Sequence, residues 1–219
     1  MARTSNRYTF IFATALAIII LACKHKPASS PTVTNHNFPE EVGRIMETNC
    51  AVAGCHNATS YKGAGSLRLD SWNNLFYGST NGAVVIPYSP DFSSLLYFIN
   101  TDENRGIVAL PTMPINQPEL TIDEYNTIKN WIADGAPDAN GNIPFADRAS
   151  SRQKIYTIQQ ECDVMAVIDV ERNVVMRYIQ LGKEAYPESM SDIVFSQDGK
   201  YAYVCYWYSP YIQKIDVER

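Results

Sequence analysis

The chain has 219 residues, of which 46% are hydrophobic and 19% are charged, and its formal net charge is −5. This composition is that of a globular protein and excludes a disordered or fibrous chain. The negative charge disfavours nucleic acid and anionic lipid surfaces as partners, so we expect no nucleic-acid binding.

The N-terminus carries the pattern of a signal peptide. Arg3 and Arg7 precede a nearly continuous apolar run over residues 10–22, which is short for a membrane-spanning helix. Residues 20–23 (Ile-Leu-Ala-Cys) resemble a bacterial lipobox, in which Cys23 would receive a lipid. We therefore expect an exported bacterial lipoprotein, anchored to the lipid bilayer through Cys23. Its location would be the outer membrane or the cell envelope, on the periplasmic or surface side. An uncleaved anchor and an ordinary signal cleaved nearby stay open as alternatives.

The chain after the signal peptide (residues 1–22) divides by pattern into three parts. Residues 23–37 are rich in Pro, Ser, Thr and Asn and have no apolar period, which predicts a flexible tether. Residues 38–145 carry helical patterns, and residues 152–219 carry short β patterns. We therefore predict two domains behind the tether.

Four helices are predicted in the first domain, each from an apolar stripe and a start signal. The first follows Asn37, and the second starts at Asp70. The third starts at Ser89, with a proline at the next position. The fourth starts at Thr121, where Glu124 completes a capping box. A small all-α domain with such aromatic-rich stripes can cover a flat apolar cofactor.

The loop after the first helix carries the most specific chemical signal. Cys50 and Cys55 are followed at once by His56, the only histidine outside the N-terminal tail. Two thiols and an adjacent imidazole are typical of covalent haem attachment, although four residues separate these cysteines instead of the usual two. A Cys50–Cys55 disulfide and a zinc site are the alternatives, and the zinc site lacks a fourth ligand at a suitable spacing.

A second axial ligand is predicted between the third and fourth helices. Met113 lies in a loop between prolines, which is an unusual place for a core residue. A thioether opposite a histidine raises the potential of haem iron and fills its coordination, which suits electron transfer. Met46 is the other nearby methionine, and its place on a helical stripe indicates a core position.

The order and spacing of these segments resemble the planctomycete-type cytochrome c domain. The motifs that carry the resemblance are residues 50–56, 65–71, 84–87, 94–97, 113–114 and 131–137. The resemblance implies one covalent haem c per chain, attached at Cys50 and Cys55. It implies iron ligation by His56 and Met113.

The second domain consists of six short β runs with an internal repeat. Residues 168–172 (Ile-Asp-Val-Glu-Arg) recur as residues 215–219, 47 residues further on. The repeat resembles YVTN-type β-propeller sequences and predicts about one and a half blades. The expected fold class is therefore multidomain, with a small all-α cytochrome c-like domain and an incomplete all-β propeller. We expect a truncated propeller; a partial sheet that pairs with another chain is the alternative.

Two further cysteines, Cys162 and Cys205, lie in the second domain. Either they pair with each other, or each is a small buried hydrophobic residue, and we expect the latter.

These observations predict a membrane-anchored, exported c-type cytochrome that transfers single electrons, with a redox protein as partner. The propeller would hold the partner or a substrate, and no catalytic residue is predicted. An oxidoreductase with a second site in a complete propeller is an enzymatic version of this function. The alternative is a non-redox surface protein whose propeller recognises glycan or protein and whose Cys50–Cys55 pair is a disulfide.

Overall fold

The structure is a computed structural model that describes residues 36–146, 151–184 and 186–217. The predicted signal peptide, the Cys23 lipid site and nearly all of the tether lie outside the described residues. Within the described residues, no helix is long and apolar enough to cross a membrane.

Helix α1 spans Glu40–Ile45 and continues into a π-helical turn at Met46–Cys50. Its inward face buries Val42, Ile45 and Met46, as the apolar stripe predicts. The turn delivers the chain directly into the loop that carries Cys50. The predicted helix and the predicted core position of Met46 are therefore confirmed.

Helices α2 (Trp72–Leu75) and α3 (Ser94–Ile99) are shorter than their patterns suggest. The second pattern predicts a start at Asp70, and Ser71 caps α2 by accepting a hydrogen bond from the Asn74 amide. The third pattern predicts a helix from Ser89, but Pro90–Phe92 form a separate 3₁₀ turn.

The buried Ser93 hydroxyl explains why α3 starts late. It accepts the Ile86 amide at 2.9 Å and donates to the Ser89 carbonyl at 2.9 Å. These bonds hold Ser93 in an extended conformation (φ −92°, ψ 100°), so the α-helix starts only after it.

Helix α4 spans Ile122–Ala133 and is the longest helix described. The predicted capping box is confirmed, because the Thr121 hydroxyl accepts the Glu124 amide while the Glu124 carboxylate accepts the Thr121 amide. The helix ends before Gly135, whose φ of 97° favours glycine. A Cβ atom at Gly135 would lie 2.5 Å from the Tyr88 ring.

The second half of the chain forms two three-stranded antiparallel sheets. Each sheet has its strands in sequence order. The strands are β1 (Lys154–Gln159), β2 (Val164–Asp169), β3 (Val174–Gln180), β4 (Met190–Phe195), β5 (Tyr201–Tyr206) and β6 (Ile212–Asp216). All six predicted β runs are confirmed.

The 47-residue repeat is a repeat of one hairpin. Lys154 in β1 pairs with Asp169 in β2, and the residues 47 positions later, Tyr201 in β5 and Asp216 in β6, pair in the same way. Every pair of the β5–β6 ladder has its counterpart in the β1–β2 ladder. The sequence repeat therefore encodes strand register as well as strand position.

The predicted fold class is wrong. The described residues contain four short α-helices and two three-stranded antiparallel sheets, which is a mixed α and β fold with more strand than helix. It is neither an all-α cytochrome c-like domain nor an incomplete propeller. The predicted domain boundaries stay predictions.

The reason lies in the core. Three of the four helices have at most six residues and bury little surface of their own. Val167, Val174 and Met176 of the first sheet belong to the same hydrophobic cluster as the buried residues of the helices. A second cluster joins the two sheets through Met165, Met190 and Val204. The described residues thus fall into one compact unit.

Candidate cofactor cavity

A cavity of about 550 Å³ lies among the helices and loops of the first half of the chain. Its wall is mainly apolar and includes Leu67, Leu95, Phe98, Ile99, Ile115 and Leu120. Ligand cavities in proteins commonly measure about 300–1,000 Å³ and are lined by apolar side chains with a few polar groups. This cavity therefore has the size and lining of a small-molecule or cofactor site.

All four predicted cofactor-binding residues lie on the wall of this cavity: Cys50, Cys55, His56 and Met113. They come from two separate loops of the chain, which the fold brings together. Their roles as haem-binding residues stay predictions, because position on a wall does not identify what the wall holds.

The loop between the cysteines closes on itself. The Cys55 amide donates to the Val52 carbonyl at 3.1 Å, and the His56 amide donates to the Cys50 carbonyl at 3.1 Å. Gly54 has a φ of 86°, which lets the chain reverse within this short distance. The four residues between the cysteines thus form a turn, which places Cys55 and His56 next to Cys50.

The His56 ring is held in one tautomer. Its Nδ1 atom lies 3.2 Å from the Leu67 carbonyl oxygen, and because a carbonyl oxygen only accepts hydrogen bonds, Nδ1 carries the proton. Burial lowers the pKa of His56, and this outweighs the opposing effect of the nearby Leu67 and Ala64 carbonyls. The neutral ring therefore keeps a lone pair on Nε2, which is the form that binds a metal ion.

The two cysteines are free thiols, with no disulfide between them. Burial is the main cause that raises the pKa of Cys50 to about 12, so its sulfur stays protonated at neutral pH. The zinc alternative finds no support: over residues 36–146, 151–184 and 186–217, no group of three or more His, Cys, Asp or Glu side chains could hold a metal ion.

Met113 is half-buried and fixed by its backbone. Its amide donates to the Phe98 carbonyl at 2.7 Å, just before the end of α3. The next three residues, Pro114, Ile115 and Asn116, also line the cavity. The thioether is therefore held on the cavity wall by a loop that is tied to a helix.

Cys162 and Cys205 lie far from this cavity in the sequence, and both are free. The expectation that each is buried is wrong for Cys162, which is exposed in the turn after β1, and Cys205 is half-buried in β5. The turn ends the alternation of the strand, so nothing forces its thiol inward.

Sequence reasoning missed the Leu67 carbonyl as the partner of His56. Residues 65–71 carry a recognisable motif, but a motif does not reveal which backbone carbonyl faces a ring. It also missed Asn49, Ser79, Asn81 and Asn116, the polar side chains on the cavity wall.

The residues around the cavity fit a covalently attached haem. Two free thiols, one neutral imidazole with an occupied Nδ1, one thioether and an apolar wall are the groups that such a cofactor uses. Comparisons of this chain with protein-family models, curated proteins and solved structures found no match, so the resemblance to cytochrome c and propeller families stays a prediction.

Proposed function

We propose that this protein is an exported, membrane-anchored carrier of single electrons that uses one covalently bound haem c. The observation that supports the proposal most is the common location of Cys50, Cys55, His56 and Met113 on one apolar cavity wall. A bound haem would supply an iron that takes up and releases one electron.

Several residues of the protein would together hold the haem. Cys50 and Cys55 would fix it covalently through their sulfurs. The Leu67 carbonyl holds the proton on Nδ1 of His56, so Nε2 is available as a ligand. Met113 would supply a second ligand to the iron from its tied loop, and the apolar wall would limit access of water.

The composition of the wall favours electron transfer over catalysis. Among the described residues that line the cavity there is no Asp, Glu, Lys or Arg. Apart from the two thiols that the haem would occupy, His56 is the one general acid or base among the described residues of the wall, and its Nε2 would be occupied as a ligand. A site of this kind exchanges electrons without the proton transfers that most enzymes need.

The membrane anchor is proposed from the sequence alone. Cys23 would carry the lipid, which would hold the protein at the outer membrane or cell envelope. The electron would then pass to a redox protein on the same side of that membrane.

The test is an absorption spectrum of the protein matured in a periplasm with a c-type maturation system. Sharp α and β bands that survive acid–acetone extraction, and a peptide over residues 45–60 whose mass rises by one haem, are the expected result. A Cys50→Ser, Cys55→Ser double variant is the control and should lose both signals. A colourless protein with an unmodified loop would contradict the proposal.

A second candidate function is a non-redox surface protein that binds glycan or protein. It is favoured by three exposed aromatic side chains beside the second sheet: Tyr186 (57% exposed), Trp207 (70%) and Tyr208 (73%). The same spectrum distinguishes the two functions.

A further inference from the structure

The loop that carries Met113 exposes a set of apolar side chains. Ile107 is 62% exposed, Leu110 81% and Ile115 48%. Leu110 is the most exposed large hydrophobic residue among the described residues. Isolated exposed apolar residues are common, but three on one ordered loop indicate a candidate binding surface, and these three residues together are called the patch.

Hydrogen bonds hold this loop in place. The buried Asn100 side chain donates to the Gly106 and Ile107 carbonyls, each at 3.2 Å. The Ala109 amide donates to the Tyr97 carbonyl at 2.9 Å. Together with the bond from the Met113 amide, these contacts tie the loop to α3 along its length. The apolar side chains are therefore presented to solvent on a fixed backbone.

The patch lies at the cavity. Ile115 lines the cavity wall and is also half exposed, so it belongs to both the wall and the surface. Because electron transfer slows steeply with distance, a partner must approach the cavity closely. The surface around Ile115 offers such an approach.

The charge around the patch has one dominant sign. Residues 101–124 contain five carboxylates and one cationic side chain, Arg105. Arg105 already pairs with Asp102 at 3.2 Å and lies over the Tyr125 ring. The Glu124 carboxylate is used by the α4 capping box. Glu103, Glu119 and Asp123 are exposed carboxylates on the same stretch of chain as the patch, which therefore carries a net negative charge.

We propose that this surface, the Met113-loop face, is the docking site for a redox protein with an apolar contact ringed by Lys and Arg. The face is defined by Ile107, Leu110 and Ile115 with Glu103, Glu119 and Asp123. Complementary charge would steer the partner, and the apolar residues would form the centre of contact. A second copy of this chain is a poor occupant, because its own carboxylates would repel. The proposal rests on the proposed function.

One electron would pass from the reduced protein to the oxidised partner, with no proton or atom exchanged. The test measures this transfer by stopped-flow, from the full haem-loaded chain to oxidised mitochondrial cytochrome c, a small basic redox protein. The variants are Leu110→Ser and the double variant Glu103→Gln, Glu119→Gln. Their matched controls are Ile212→Ser (64% exposed in the wild-type chain) and the double variant Glu161→Gln, Glu184→Gln, all in the second half of the chain.

We expect the second-order rate constant at low salt to fall about fivefold to tenfold in the charge variant and about fivefold in Leu110→Ser. The controls should stay within about twofold, and added salt should remove most of the charge effect. Rates that match the controls, or that rise when the carboxylates are neutralised, overturn the docking site. A dimer that Leu110→Ser dissociates while transfer is unchanged assigns the face to a second copy and also overturns it.

The experiment distinguishes a failure of the docking site from a failure of the proposed function. Every variant is first checked for its haem absorption bands and midpoint potential. Loss of those signals from the wild-type protein contradicts the proposed function. Normal bands with rates insensitive to the variants contradict only the docking site.

Discussion

The two halves of the chain use buried polar side chains for different purposes. In residues 36–146, the buried Ser93 and Asn100 side chains bond to backbone groups of long loops, and one buried carboxylate, Asp138, accepts two amides of its own turn. These loops adjoin two segments that contribute to the cavity wall, namely residues 95–99 and 113–116. In residues 151–217, where Ala185 lies outside the described part, the buried carboxylates of Asp169 and Glu188 pin turns and loops onto closely packed sheets.

This difference shows how each half keeps its shape. Short helices leave much of the first half as loop, so side-chain bonds to the backbone must hold the cavity open. In the second half the strand ladders already satisfy most backbone groups, so the buried charges act at the turns. The predictions below probe this comparison, from the largest expected effect to the smallest.

Removal of a buried charge in the second half should have the largest effect. Asp169 is fully buried, its carboxylate pairs with the Arg152 guanidinium, and it accepts the Glu171 and Arg172 amides. Asp169→Ala should lower the free energy of unfolding by about 3–5 kcal/mol, because a buried cation would lose its carboxylate. Urea unfolding of the full chain measures this.

The control is the double variant Arg152→Met, Asp169→Leu, which removes both charges. It should be less destabilised than Asp169→Ala alone. A double variant that is the less stable of the two would show that the interactions of the ion pair, and not the loss of one charge from it, dominate.

Truncation of two buried side chains in the first half should show that a residue on the cavity wall contributes less to stability than a residue in the core. Ile132 is fully buried away from the cavity, and Leu120 lines it. In haem-free protein, Ile132→Ala should cost about 3 kcal/mol and Leu120→Ala about half as much, because Leu120 already lacks contacts on its cavity side. Urea unfolding in the Cys50→Ser, Cys55→Ser background gives the comparison.

With haem bound, the cost of Leu120→Ala should approach that of Ile132→Ala, since the cofactor would supply the missing contacts. Equal costs in the haem-free background would indicate that the cavity is filled by collapse of its walls.

We expect the smallest effect from two substitutions that alter the stability of the protein in acid, because the carboxyl groups concerned titrate only far below neutral pH. Burial alone would raise the pKa of Glu188, but hydrogen bonds from Ser209, Tyr211 and the Lys183 amide outweigh it and hold that pKa at about 2. A carboxyl whose pKa is depressed on folding stabilises the protein fully above its ordinary value of 4.5. That contribution is lost as the pH falls from about 4.5 to about 2.

Glu188→Gln should therefore flatten the loss of stability over this range, as followed by urea midpoints at successive pH values. Asp138 is the matched site in the first half, because its pKa also lies at about 2 through bonds from Asn142, Asn140 and Asn37 that outweigh burial. Asp138→Asn should flatten the same range. An unchanged slope in both variants would assign acid unfolding to other carboxyls.

Local signals in the sequence were sufficient to locate the helices and strands. Caps such as Thr121 with Glu124, and alternation in the β runs, depend on residues a few positions apart, and the structure has elements at those places. The same kind of signal failed at Ser89, because the Ser93 hydroxyl bonds to the Ile86 amide and the Ser89 carbonyl and delays the helix.

The sequence by itself determined the positions of the elements, the hairpin repeat and the four residues that the cavity brings together. Only the tertiary structure decided the fold class, the exposure of Cys162 and the bond between His56 and the Leu67 carbonyl. The physical reason is the distance along the chain over which each feature is set. Helical and strand patterns depend on neighbouring residues. Val167 and Val174, in contrast, join the core of the helices through contacts between distant segments, which the spacing of nearby residues does not reveal.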